Sequence, residues 1–417
     1  MSALQTQSAI GLAALCLLAW ALGGFRRGLS WRVVAVGLGL QLLLAAALLQ
    51  VPPLRAAFEV FGAGVNALAA ATRQGTSLVF GYLGGAPLPF EEKVPGSSFV
   101  LFFQALPLVL VVGALSALLY HWRVLPAAVA AMGRVLTRAF GIGGAAGFSV
   151  AANVFVGMVE APLLIRPWLA RLTRSEMFVV MTAGLATISG NMLVVYVLLI
   201  APVVPDAAGQ LLIASLITAP GSILVALLMM PPRREDASVV GGEDAVAPPL
   251  YDSAMEAITR GTMDGLQLLL GIMAMLVVFV ALVALANMAI EPLTGLTLQR
   301  LAAFLFWPLA IAMGVPVEHA MAVAGSLGTK VVVNEFVSYL EFGMSGGLGL
   351  DPRSRLILTY ALCGFTSFGS VGIMLGGMVA MCPERRADIV RLGLPALVSG
   401  TIACCMTGAV VGLLTAP

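Results

Sequence analysis

The sequence predicts an all-α polytopic membrane protein, with eight transmembrane helices and two re-entrant helical hairpins in an inverted repeat. Three observations lead there. The chain of 417 residues is 60% hydrophobic and only 10% charged, with mean hydropathy +1.03, whereas soluble domains are about 25% charged. Apolar runs of spanning length, about 20 residues, recur along it. Two further apolar regions, 141–170 and 316–345, are interrupted near their middles by Gly, Pro or Asn and a carboxylate. Backbone can leave the helix at membrane depth only where protein or a water-filled cavity covers it.

The expected spans are 8–24, 33–51, 98–120, 176–201, 209–231, 264–289, 356–380 and 392–414. The first has no basic residues before it and no small-residue cleavage site after it, so it reads as a retained helix and not a leader. The Ala-rich stretches 54–72 and 124–139 are mildly amphipathic and suit the membrane interface. The polar run 231–249 reads as a linker between halves. Domain limits follow at 1–140, 141–231, 232–262, 263–315 and 316–417.

With the 25–32 loop cytoplasmic, that side collects Arg26, Arg27, Arg32, Arg123, Arg134, Arg138, Arg166, Arg171, Arg174, Arg233, Arg234, Arg260, Arg385, Arg386 and Arg391. The other side holds Arg55, Arg73, Lys93, Arg300, Arg353 and Arg355. This bias follows the positive-inside rule. It requires 141–170 to leave and return on one side, and it places both termini outside. Each hairpin precedes two spans, and "GLATISGNM" (184–192) and "GFTSFGSVG" (364–372) place small polar residues in mid-span. Such residues allow local unwinding. Inverted repeats with broken helices are the architecture of secondary transporters, whose site lies where the breaks meet.

Glu160 and Glu335 sit inside the two hairpins. A lone carboxylate at the bilayer centre costs about 2.5–3.5 kcal/mol and by default marks a functional site. The competing structural readings are a hairpin-capping acid for Glu160 and an ion pair with Lys330 for Glu335. Helix C-termini present unpaired carbonyls, which suit a bare cation, and carboxylates accept hydrogen bonds from hydroxyl or ring N–H groups. A polar, hydroxyl-bearing solute moved with a cation satisfies both. Cys16, Cys363, Cys382, Cys404 and Cys405 form no CxxC pair, and His121 and His319 stand alone. Metal-ligand spacing, nucleotide-binding motifs and an activated nucleophile are absent, so no enzyme is expected. A net charge of +2 without a basic, aromatic-rich run argues against nucleic acid. No ring of like charges suggests a channel.

Three motifs resemble those of the concentrative nucleoside transporters, from about residue 98 onward. "GTKVVVNEFVSYL" (328–340) is similar to the family's GxKxxxNEFVxYxxL. "GMVEAPLLIRPWL" (157–169) resembles GQTEAPLLIRPYL, and "CGFTSFGSVGI" (363–373) resembles CGFANFSSIGI. The resemblance implies a bacterial inner-membrane nucleoside symporter, of the permease type, forming a homotrimer of eight-span protomers. It implies Glu335 on the ribose hydroxyls, Glu160 at the base, Phe365 and Met192 lining the pocket and Ser370 holding the sugar. It further implies a sodium site at Asn153, Val156, Thr187 and Ile188. Met158, Val159 and Ser367 stand where the family has Gln, Thr and Asn, removing polar groups from the substrate site. The coupling ion is left open between sodium and a proton. A different small polar solute, or a non-transporting membrane sensor on the same scaffold, stands as the alternative.

Overall fold

The computed structural model describes residues 2–25, 31–93, 97–232 and 250–416. The loop arginines Arg26, Arg27, Arg233 and Arg234 and nearly all of the expected linker therefore lie outside the described residues. No strand occurs among the described residues. The first helices are α1 (Ala3–Leu22), α2 (Trp31–Gln50) and α3 (Pro52–Phe80). Ser2 starts α1 through a capping box, its hydroxyl accepting from Gln5 N and the Gln5 side chain accepting from Ser2 N. Pro52 and Pro53 occupy the first turn of α3, where a missing N–H costs nothing. With no breaker following, the expected short helix at 54–72 runs on for 29 residues.

Next come α4 (Leu101–Gln104), α5 (Leu108–His121) and α6 (Val124–Phe140). The first hairpin region holds α7 (Gly144–Asn153), α8 (Glu160–Leu164) and α9 (Arg166–Leu169). Then follow α10 (Arg174–Ala186), α11 (Gly190–Ile200), α12 (Ala207–Met229), α13 (Ala254–Thr294) and α14 (Leu298–Ala312). The second hairpin region is α15 (Val317–Val332) and α16 (Glu335–Met344), before α17 (Pro352–Leu362), α18 (Phe368–Met381) and α19 (Arg386–Leu414).

Seven helical stretches among the described residues are long and apolar enough to cross a membrane. They match the expected spans except 356–380, which is divided into α17 and α18, of 11 and 14 residues. The stretch 232–262, expected as a cytoplasmic linker and interfacial helix, ends inside the 41-residue α13, which begins at Ala254. Ser253 accepts from Glu256 N to begin that helix, and no proline separates the polar turns from the apolar ones. Helix α14, expected as part of a connection, packs along α15.

The second half repeats the first. A packed helix (α6, α14) leads to an interrupted pair (α7–α8, α15–α16), then a broken helix (α10–α11, α17–α18), then a long buried one (α12, α19). The core sits among α10, α12, α17 and α19, whereas α13 leaves apolar residues such as Val277, Leu285 and Met288 exposed. α13 packs chiefly along α5 and meets α14 where Asn287 donates to Gln299 Oε1. A Cβ on Gly113 would meet Gly261 O at 2.6 Å, so small residues permit this close crossing.

Two buried charges fasten the packing. Glu176 accepts from Gly143 N (3.0 Å) and Thr173 N (2.9 Å), tying the start of α7 to the start of α10. Arg353, expected at the outer surface, is buried. It donates to Gly314 O (2.5 Å), Gly412 O (2.6 Å) and Ser8 Oγ (3.1 Å), joining α1, α19 and the turn before α15.

Candidate solute and cation site

Four helix interruptions converge on one cavity, and small polar side chains account for three of them. Ser189, in extended backbone, accepts from Met192 N to start α11. Asn334 accepts from Val337 N to start α16, and Ser367 accepts from Ser370 N to start α18. Each supplies an acceptor to an otherwise orphaned helix N-terminus. In the fourth, 154–159 separates α7 from α8. Phe155 O accepts from Gly190 N at 3.0 Å, joining that segment to the start of α11.

The cavity has a volume of about 570 Å³. It gathers every residue expected to meet solute: Met158, Val159 and Glu160 from the α7–α8 break, Met192 from α11, Glu335 from α16, and Phe365, Ser367 and Ser370 from the α17–α18 break. Glu335 is 5% exposed. Its Oε1 accepts from Tyr196 OH at 2.9 Å, while Oε2 has no partner. Lys330 donates to Ala361 O at 2.8 Å and is not bound to Glu335, so the ion pair weighed for these residues does not form. A buried carboxylate oxygen without a donor is costly.

Glu160 begins α8 and is open to the cavity. Gly157 carries no Cβ where one would strike that carboxylate. Ser367 lines the cavity, and its hydroxyl donates to Ser370 Oγ at 2.9 Å, which leaves the Ser370 O–H to donate elsewhere.

The four residues expected at the cation divide differently. Val156 lines the cavity. Asn153, Thr187 and Ile188 lie deeper, each at most 1% exposed. Thr187 Oγ1 donates to Ala183 O (2.9 Å) and reaches Asn153 O (3.5 Å). Oriented to satisfy its neighbours, the Asn153 amide donates to Gly157 O (3.1 Å) and accepts from Gly184 N (3.3 Å). The carbonyls of Val156, Thr187 and Ile188 receive no hydrogen bond from the described residues.

Sequence reading missed Tyr196, Asn334 and Asp264, all near or lining this space. Tyr196 follows Met192 by one helical turn, the spacing that shares a face. Asp264 is a carboxylate at the first position of an expected apolar span. Both signals were present. His121 faces Tyr251 O at 3.2 Å, and His319 lies 3.5 Å from Asp351; neither lines the cavity.

Broken helices meeting at a cavity that holds an orphaned carboxylate define a solute site of the secondary-transporter kind. Comparison with known proteins carries this to a family. A family model described as Na+ dependent nucleoside transporter C-terminus matches residues 210–412, its N-terminal counterpart matches 10–83, and a nucleoside-recognition (gate) model matches 102–203. The chain is 34% identical to an uncharacterized transporter of Haemophilus influenzae, covering 97% of both chains. It is 31% identical to the nucleoside permease NupC of Helicobacter pylori, again over 97% of both. Sodium/nucleoside cotransporter 1 of Mus musculus is 33% identical over 99% of this chain and 64% of its own. Among solved structures, CNTnw in an inward-facing substrate-bound state superposes with TM-score 0.87 at 34% identity, covering 99% of each chain. An outward-facing CNTnw variant gives 0.88 at 32%. The chain belongs to the concentrative nucleoside transporter family.

Proposed function

We propose that this protein imports nucleosides in symport with sodium, by alternating access around the cavity between α8, α11, α16 and α18. The carrying observation is Glu335, whose Oε2 is buried and unpartnered at the cavity wall while Tyr196 holds Oε1. That geometry leaves one charged acceptor for a sugar hydroxyl. Glu160 lies on the same wall system and serves the base. Met158, Val159, Met192 and Phe365 supply apolar surface for the ring faces.

The donor set at Asn153, Val156, Thr187 and Ile188 fits sodium. It offers neutral oxygens: three carbonyls without hydrogen bonds and a hydroxyl whose lone pairs remain free after it donates. Hard monovalent cations take such oxygens, and a buried carbonyl without a partner is otherwise unfavourable. A bound sodium ion would supply positive charge that holds the ends of α7 and α10 together. Thr187, by linking both segments, orders that region before solute reaches Glu335.

In this reading α7–α8 and α15–α16 are re-entrant hairpins, α17–α18 is the eighth span, and both termini lie outside a bacterial inner membrane. The cavity extends to Tyr120 and Tyr251, at the end of α5 beside Arg123 and before Arg260 on α13. By the arginine bias that is the cytoplasmic side, so the cavity opens inward. The exposed apolar face of α13 suits lipid and neighbouring copies in a homotrimer. Equilibrium binding to purified protein tests the site. Glu335→Gln should weaken nucleoside binding by tenfold or more, the loss of about 1.5–3 kcal/mol expected for a charged hydrogen bond, with an unchanged melting profile. Retained affinity would remove Glu335 from the site.

A further inference from the structure

Lys330 lies in the last turn of α15 and is 1% exposed, yet it does not line the cavity. A fully buried lysine is rare unless a partner holds it. Here the partner is Ala361 O, one residue before the end of α17, reached at 2.8 Å. The last four carbonyls of a helix find no partner within it. No backbone N–H among the described residues reaches Ala361 O. The Lys330 amino group therefore satisfies an acceptor that the α17–α18 break releases.

Two buried neighbours extend this tie. Tyr339 OH, from α16, donates to Thr359 O of α17 at 2.7 Å. Ser338 Oγ, also from α16, donates to Ser326 O of α15 at 2.9 Å. Both arms of the interrupted pair α15–α16 are thus fastened to α17 and to each other. Between the ties lies the turn of Val333, Asn334 and Glu335, which lines the cavity. The first repeat has the same elements in the same order, and there the ends of α7 and α10 meet at Asn153 and Thr187. In the second repeat the ends of α15 and α17 meet at Lys330. A cation and an N–H donor both present a positive pole to carbonyl oxygen, and the amino group arrives covalently attached.

We propose that Lys330 is a positioning residue which, with Tyr339, holds α15–α16 against the α17–α18 break and so fixes Glu335. It does for the second repeat what a bound cation does for the first, without an ion. This rests on the nucleoside and sodium readings above. Lys330 acts through Glu335 and touches no solute.

The test is a double-mutant cycle, read as binding of labelled adenosine and uridine to the full-length protein in detergent at saturating sodium. Lys330→Met keeps an unbranched chain and removes the donor. It should weaken binding about tenfold in the wild-type background. On a Glu335→Gln background it should weaken binding by about threefold or less, because residues that act through one another are not additive. The sodium concentration that half-stabilises the protein against heat, without solute, should stay within about twofold of wild type, since the two ties lie in different repeats. Tyr339→Phe runs the same cycle and decides the matter if Lys330→Met does not fold. Undiminished affinity, equal losses in both backgrounds, or a sodium midpoint raised about tenfold would overturn the role of Lys330 and leave the nucleoside site standing. Folded wild type that sodium does not stabilise would overturn the sodium reading and with it the likeness between the repeats. Folded wild type that binds neither nucleoside would overturn both the nucleoside reading and this one.

Discussion

Tyr196 shows how a single side chain decides what Glu335 can do. It is fully buried and spends its only donor on Oε1, which fixes the carboxylate and leaves Oε2 toward solute. Tyr196→Phe keeps the ring, which stacks beside Tyr339 at 4.8 Å, and deletes the bond. A buried carboxylate then lacks its partner. Nucleoside affinity should drop about tenfold, and the melting temperature should fall in a thermal-unfolding assay with purified protein. Unchanged affinity would mean that Glu335 is positioned by something other than this phenol. At this scale the sequence was legible where chemistry is conspicuous: an acid inside an apolar run announces itself. Tyr196 was hidden because a tyrosine in a span is ordinary, and its role depends on α16 arriving beside α11, a contact between residues 139 positions apart. Ser367 both lines the cavity and caps α18 with its hydroxyl, a double use that its spacing does not announce.

The elements that matter most are those that stop early. The α10–α11 break takes Thr187 out of helical backbone, so its hydroxyl and carbonyl and the carbonyl of Ile188 are released near Asn153. Thr187→Val preserves shape and removes the hydroxyl. The sodium concentration for half-maximal uptake should rise about tenfold or more in a sodium titration of transport, while nucleoside affinity at saturating sodium stays near wild type. An unaltered sodium titration would take Thr187 out of the cation site. These breaks could be read in advance because Gly, Ser and Thr cluster at 184–192 and 364–372. Boundaries without such punctuation could not. Nothing between 254 and 291 interrupts α13, so a polar start and an apolar continuation form one helix. The connection expected within 263–315 is in fact the helix α14, which accommodates Pro308 in its interior.

For the whole molecule, the repeat of packed helix, interrupted pair, broken helix and long helix brings four helix breaks to one cavity. Hydrophobic burial alone would not select that arrangement, because each break forfeits backbone hydrogen bonds that caps and ligands must replace. The span pattern was plain in the composition, since runs of spanning length are hard to hide. The packing of α14 and the burial of Arg353 were not, because both depend on which helices meet. The most direct test of the central reading is uptake of labelled adenosine and uridine into proteoliposomes, with and without an inward sodium gradient. Accumulation that requires the gradient is the expected result. Folded protein that accumulates neither nucleoside under a sodium gradient would contradict it.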